Sequence, residues 1–192
     1  METSVSLLER LAGAPTDDDW RRLVDLYQPL LRAWAARAGV QAADADDLAQ
    51  DVLLVVFREV ATFERRRLGA FRAWLRTILV HRLRDYFRGQ QYRPTVTGDS
   101  DFLRRLDELE APKSALSHQF DREHDEHVAA SLMRRVQGDF APATWQAFRR
   151  HALEGEPAAR VAAELGLSLN SVLLAKSRVL KRLRQELDGL LD

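Results

Sequence analysis

The 192-residue chain has no cysteine, which excludes a disulfide frame and any zinc site built on thiolates. It has no apolar run near the roughly 18 residues a membrane-spanning helix needs. Its first residues do not join a cationic segment to an apolar stretch, so a cytosolic location is expected. No serine, histidine and acid stand at usable catalytic spacing, and no glycine-rich loop could cradle a phosphate; neither an enzyme, a cofactor nor a small-molecule substrate is expected. Net charge is missing too, because 29 basic side chains balance 29 acidic ones.

That balance is segmented. Residues 1–90 hold 14 basic and 13 acidic side chains, 91–140 hold 7 and 10, and 141–192 hold 8 and 6. An acidic middle therefore separates two regions with basic patches. At 46% hydrophobic the chain can bury a sizeable core, and its length allows one or two domains.

The first ninety residues read as one all-helical unit. Ser6 to Ala12 is a short helix. Pro15-Thr16-Asp17 opens a longer one, with Thr16 or Asp17 as its cap and acids in its first turn. Trp20, Leu23, Val24, Tyr27, Leu30, Leu31 and Trp34 form its apolar stripe, Pro29 is expected to bend it, and Gly39 closes it. The next helix is acidic. At about 100° per residue, Leu48, Val52, Val56 and Phe63 fall on one side and Asp44, Asp47, Gln50, Asp51, Leu54 and Arg58 on the other. The run Val52 to Phe57 is apolar nearly all round, which places this helix centrally, with Leu54 the apolar residue inside a face suited to a basic protein partner.

A second helix starts near Phe71 with the opposite charge. Between Arg58 and Arg88 nine arginines face only Glu59, Glu64 and Asp85. Thr77, His81, Arg84 and Arg88 line up beside Trp74, while Phe71, Leu75, Ile78, Leu79 and Tyr86 point inward. Cations that track a backbone, beside a ring that can take an unstacked base, suit single-stranded nucleic acid. For the ring alone, a place in the core is the simpler reading. Arg65, Arg66 and Arg67 in the preceding loop favour binding over a merely solvated face.

From Gly89 to Ser117 the pattern dissolves into turn residues, with a weak helix around Asp101 to Leu109, and reads as a flexible linker. Ser117 to Gln137 resumes a helix on Phe120, Val128, Leu132 and Val136. His118, His124 and His127 stand there among acids; spacing of this kind can chelate a metal, but a charged, solvated face is the expected reading and no metal site is assigned. Pro142 to Leu153 is a further helix on Trp145 and Phe148.

The last segment has helix-turn-helix grammar. A short alanine-rich helix follows Pro157, Gly166 can take the positive φ of a tight turn, and Ser168 caps the next helix. There Val172, Val179, Leu180, Leu183 and Leu187 face inward. Asn170, Ser171, Leu174, Ser177, Arg178, Lys181 and Gln185 face out, flanked by Arg182, and Lys176 to Arg184 carries five cations and no acid. Turn, cap and charge together favour reading of duplex DNA over a helix that merely ends a bundle.

Acidic helix, arginine and tryptophan helix, linker, helix-turn-helix: in this order the chain resembles the extracytoplasmic-function sigma factors, a group within the sigma-70 family. Asp47-Leu48-Ala49-Gln50-Asp51-Val52 is similar to that family's D-L-x-Q-D/E-V stretch, and Phe71-Arg72-Ala73-Trp74-Leu75 with Asp85-Tyr86 to its F-x-x-W-L and D-Y pair. The resemblance implies an all-α fold of two small helical domains, a sigma-2-like one over 1–90 and a sigma-4-like one over 117–192, joined by a flexible linker over 91–116. It implies docking on core RNA polymerase, at the β′ coiled coil and the β flap, through Asp44, Asp47, Gln50, Asp51, Leu54 and Arg58. Contact with the melted minus-ten strand would fall to Phe63, Arg65, Arg66, Arg67, Trp74, Thr77, His81, Arg84 and Arg88. The minus-thirty-five duplex would fall to Ser168, Asn170, Ser171, Leu174, Ser177, Arg178, Lys181 and Arg182. An anti-sigma factor is the family's common further partner. The chain departs from its relatives at His81, where many carry asparagine, and at Leu173, Leu174 and Ala175, where a polar set is common. A solvent-facing Leu174 suits thymine methyls or a protein surface. The other readings are a stand-alone helix-turn-helix regulator, which leaves the acidic helix without a purpose, and a metal-dependent enzyme built on the histidines.

Overall fold

Capping and apolar spacing explain the first long helix of the computed structural model, which describes residues 7–64, 69–90 and 100–187. After α1 (Leu7–Ala12), Thr16 caps α2 (Asp17–Arg37) in a reciprocal box. The Thr16 hydroxyl accepts from the Asp19 amide at 3.3 Å, and the Asp19 carboxylate accepts from the Thr16 amide at 3.1 Å and its hydroxyl at 2.8 Å. Two amides that the first turn leaves open are thereby satisfied. The helix continues through Pro29, and Gly39 ends it at φ +91°, where a side chain would be costly.

The acidic helix is α3 (Ala42–Glu59), followed by a 3-10 turn over Val60–Thr62; the arginine helix is α4 (Ala70–Gln90). Ala45, Leu48, Ala49, Val52, Leu53 and Val56 of α3 are buried, as are Phe71, Leu75, Ile78, Leu79, Val80 and Leu83 of α4. Helix α2 packs on α3, and α3 on α4. The pleat-free pattern holds throughout: the fold is all-α, and no strand occurs among the described residues.

The remaining helices are α5 (Ser100–Glu110), α6 (Ala115–Gln137), α7 (Pro142–Phe148), α8 (Ala158–Leu165) and α9 (Leu169–Leu187). A π-helical turn over Arg149–Leu153 follows α7. The chain forms two compact units, one of Leu7–Val128 and one beginning at Ala129, so the division falls inside α6. This differs from the expected boundaries at 90 and 116. Helix α5 packs on α4 through Leu106 and Leu109, and the first half of α6 packs on α2, with Phe120 5.1 Å from Trp34 between ring centroids. Two buried leucines make too short a stripe to stand out among seven charged or polar neighbours. The rest of the expected linker, 91–99, lies outside the described residues.

The second unit has its own core. Ala147, Val161, Ala162, Val172 and Ala175 pack together, and beside them Val136, Phe148, Val179 and Leu183.

Candidate functional site

On α3, the residues left over by the buried stripe form one exposed face: Asp47, Gln50, Asp51, Leu54 and Arg58 all meet solvent. Asp47 and Asp51 have no ion-pair partner among the described residues. Leu54 is 50% exposed and Phe57, one turn on, 54%. Phe57 rests its ring on half-buried Trp20 at 4.5 Å between centroids. Sequence reasoning counted Phe57 within an apolar core run. The signal that finds it is its absence from the 45, 48, 49, 52, 53, 56 stripe, three residues after Leu54. Asp44 stands apart from this face, because its carboxylate accepts the Tyr86 hydroxyl at 2.6 Å and ties α3 to α4. The result is an apolar pair rimmed by carboxylates.

The α4 face is less bare than its arginines suggest. Arg84 meets Asp107 at 2.7 Å and Glu110 at 2.5 Å, and His81 stands 3.5 Å from Glu110, all on α5. Burial opposes the Arg84 charge, but the two carboxylates outweigh that and hold its guanidinium above the ordinary value. Arg76, buried, pairs with Asp121 at 2.5 Å, and Arg72 reaches Asp125 at 2.6 Å. Arg88 is exposed, 3.6 Å from Asp85 in its own helix. Acids more than twenty residues away thus neutralise much of the local excess. Thr77 donates its hydroxyl to the Ala73 carbonyl, and Trp74 is half-buried, stacked on Phe63 at 4.8 Å and 23°. Trp74 and Phe63 form an aromatic shelf continuous with the buried Phe71. Arg65, Arg66 and Arg67 lie outside the described residues.

In the second unit, α8 and α9 cross at 107°. Gly166 takes φ +64° at the end of α8, and the Ser168 hydroxyl accepts the Ser171 amide at 3.0 Å while sharing a 2.8 Å bond with the Ser171 hydroxyl. Both serines therefore serve the helix start. Asn170, Leu173, Leu174, Ser177, Arg178 and Lys181 are exposed, as are Lys176 and Arg184. Arg182 is not free for a partner: it pairs with Asp139 at 2.8 Å and Glu186 at 2.5 Å. Arg150 holds the unit together from the other side, bonded to Glu156 through two 2.7 Å contacts and to Glu164. The Arg150 bonds depress the Glu156 carboxyl below its usual range, and Arg160, at 2.9 Å, together with Arg150 does the same for Glu164.

The histidines do not assemble a metal site. His124 is fully buried, its Nε2 3.3 Å from the Tyr27 hydroxyl and its Nδ1 3.0 Å from Asp125. His127 Nε2 bonds the Leu26 carbonyl at 2.6 Å, and His118 is exposed. No cluster of three potential ligands occurs among the described residues.

Residues 23–93 match the family model of sigma-70 region 2, a segment that runs from α2 through α3 and α4. None of the curated proteins compared matches the chain. The match covers 71 of the 192 residues and makes this segment similar to region 2 of the sigma-70 family, whose members are non-enzymatic transcription initiation factors.

Proposed function

We propose that the chain is a sigma factor of the extracytoplasmic-function group, and that its contacts divide among three faces. The α3 face docks on the β′ coiled coil of core RNA polymerase. The face of α4 with Trp74, His81, Arg84 and Arg88 holds the melted minus-ten strand. Helix α9 enters the major groove of the minus-thirty-five duplex with Asn170, Ser177, Arg178 and Lys181.

One observation carries this reading: within the segment that matches region 2, Leu54 and Phe57 are exposed side by side and rimmed by Asp47, Gln50 and Asp51. An apolar pair inside a carboxylate rim fits a protein surface that offers both aliphatic and cationic side chains, and burial of the central pair supplies most of the binding. On the α4 face, strand phosphates would take the place at Arg84 now filled by Asp107 and Glu110. The stacked Phe63 and Trp74 would offer a ring to a base.

The test is co-purification with core RNA polymerase. The wild-type chain is expected to be retained, whereas Asp47→Arg/Asp51→Arg is expected to lose retention with its helical circular dichroism unchanged. Retention of that variant at wild-type yield would remove α3 from docking.

A further inference from the structure

Helix α9 presents an exposed apolar pair in the middle of its most cationic surface. Leu173 is 47% exposed and Leu174 42%, although the same helix buries Val172, Ala175, Val179 and Leu183 on its opposite side. With Asn170 at the centre of the outward arc, Leu174 lies about 40° to one side and Leu173 about 60° to the other. Both belong to the first two turns after the Ser168 cap, which a helix-turn-helix inserts into the groove. Around them Lys176, Arg178, Lys181 and Arg184 are exposed, and residues 169–185 contain no acid. None of those four cations has an ion-pair partner among the described residues.

Two leucines alone would suit any apolar surface. The surrounding charge selects the polyanion, because a protein groove ringed by four unpaired cations would need a dense acidic rim, whereas phosphates flank a major groove on both sides. Inside that groove the apolar group on a base edge is the thymine C5 methyl. We propose that Leu173 and Leu174 are specificity-determining residues that pack on thymine methyls on either side of the base pair met by Asn170, so that the duplex element read by α9 carries thymine at both flanking positions. The inference rests on the reading of α8 and α9 as a duplex-binding helix-turn-helix.

Uracil differs from thymine by that methyl group alone, which makes it the probe. A promoter is first selected from random duplexes by the full chain bound to core RNA polymerase, and each thymine of its distal element is then replaced by uracil. Wild-type complex is expected to weaken about 3- to 10-fold at each of two positions, one on either side of the base pair met by Asn170. Leu173→Ala and Leu174→Ala should each lose a similar factor on the thymine template and nothing further on the matching uracil template. Both side chains are surface residues, so unchanged circular dichroism checks the fold, and Leu174→Met should recover most of the loss.

Equal binding to thymine and uracil templates, with Arg178→Ala/Lys181→Ala still weakening the complex, would overturn the methyl contact and leave the helix-turn-helix reading standing. If Arg178→Ala/Lys181→Ala also had no effect, both would fall together. Loss of core polymerase association in the absence of DNA on Leu173→Ala or Leu174→Ala would assign the pair to a protein surface and overturn the proposal.

Discussion

Asp19 is a carboxylate almost without solvent contact. Burial would raise its pKa, but hydrogen bonds from Arg10, at 2.8 Å, and from Thr16 outweigh this and hold it at about 2. Since the folded pKa lies below the unfolded one, the stabilisation is complete above pH 4 and is lost as pH falls towards 2. It amounts to about 2 kcal/mol. Asp19→Asn is therefore expected to cost that much in urea unfolding at pH 7 and to make the loss of stability between pH 4 and 2 shallower than in the wild type. His124 responds at a higher pH. Burial lowers its pKa, with the Asp125 contact opposing and Arg72 adding to the fall. A histidine kept neutral by the fold stabilises above its unfolded value near 6.5 and loses that contribution as pH drops. The Tyr27 hydroxyl, which burial keeps protonated, and nearby Asp121 complete its surroundings. His124→Phe is expected to flatten the decline in unfolding midpoint between pH 7 and 5; an unchanged slope would show that other groups set it. The burial of His124 was legible in the spacing 120, 124, 128, which puts it on the stripe of Phe120 and Val128. Its acidic neighbours drew attention to the solvated side instead.

Helices α2, α3 and α4 could be read from capping and period because each buries a long stripe, and the cap at Thr16, the close at Gly39 and the turn at Gly166 were all local signals. Helix α5 and the state of the α4 cations were less legible, because the partners of Arg72, Arg76 and Arg84 lie 23 to 53 residues away. No local spacing rule pairs side chains at that range. If the α4 face binds a single strand, α5 competes with it, since Asp107 and Glu110 hold the same Arg84 donors that phosphate would take. Asp107→Asn/Glu110→Gln should then raise the affinity of the chain for a single-stranded oligonucleotide several-fold and steepen its salt dependence, as one more cation becomes available. Fluorescence anisotropy across a salt series measures both. Equal slopes for variant and wild type would mean that Arg84 never meets the strand.

At the scale of the molecule, each of the two units buries its own core, the proposed reading gives each one face for DNA, and the net charge is zero. No long-range attraction to a polyanion arises from the whole, so each contact depends on a local patch that salt screens within about 8 Å. Two weak contacts held by one large scaffold gain effective concentration, worth on the order of 100- to 10,000-fold over either alone. The free chain should consequently bind promoter DNA weakly and lose most of that binding between about 50 and 200 mM salt. Core RNA polymerase should raise the affinity at least about 100-fold. Leu54→Ser/Phe57→Ser leaves the charge unaltered and touches neither DNA face, so it should keep the weak binding of the free chain and abolish the gain. Gel shift with and without polymerase separates the two quantities. Tight, polymerase-independent binding at physiological salt would instead point to a stand-alone regulator, for which an exposed apolar pair on α3 has no use.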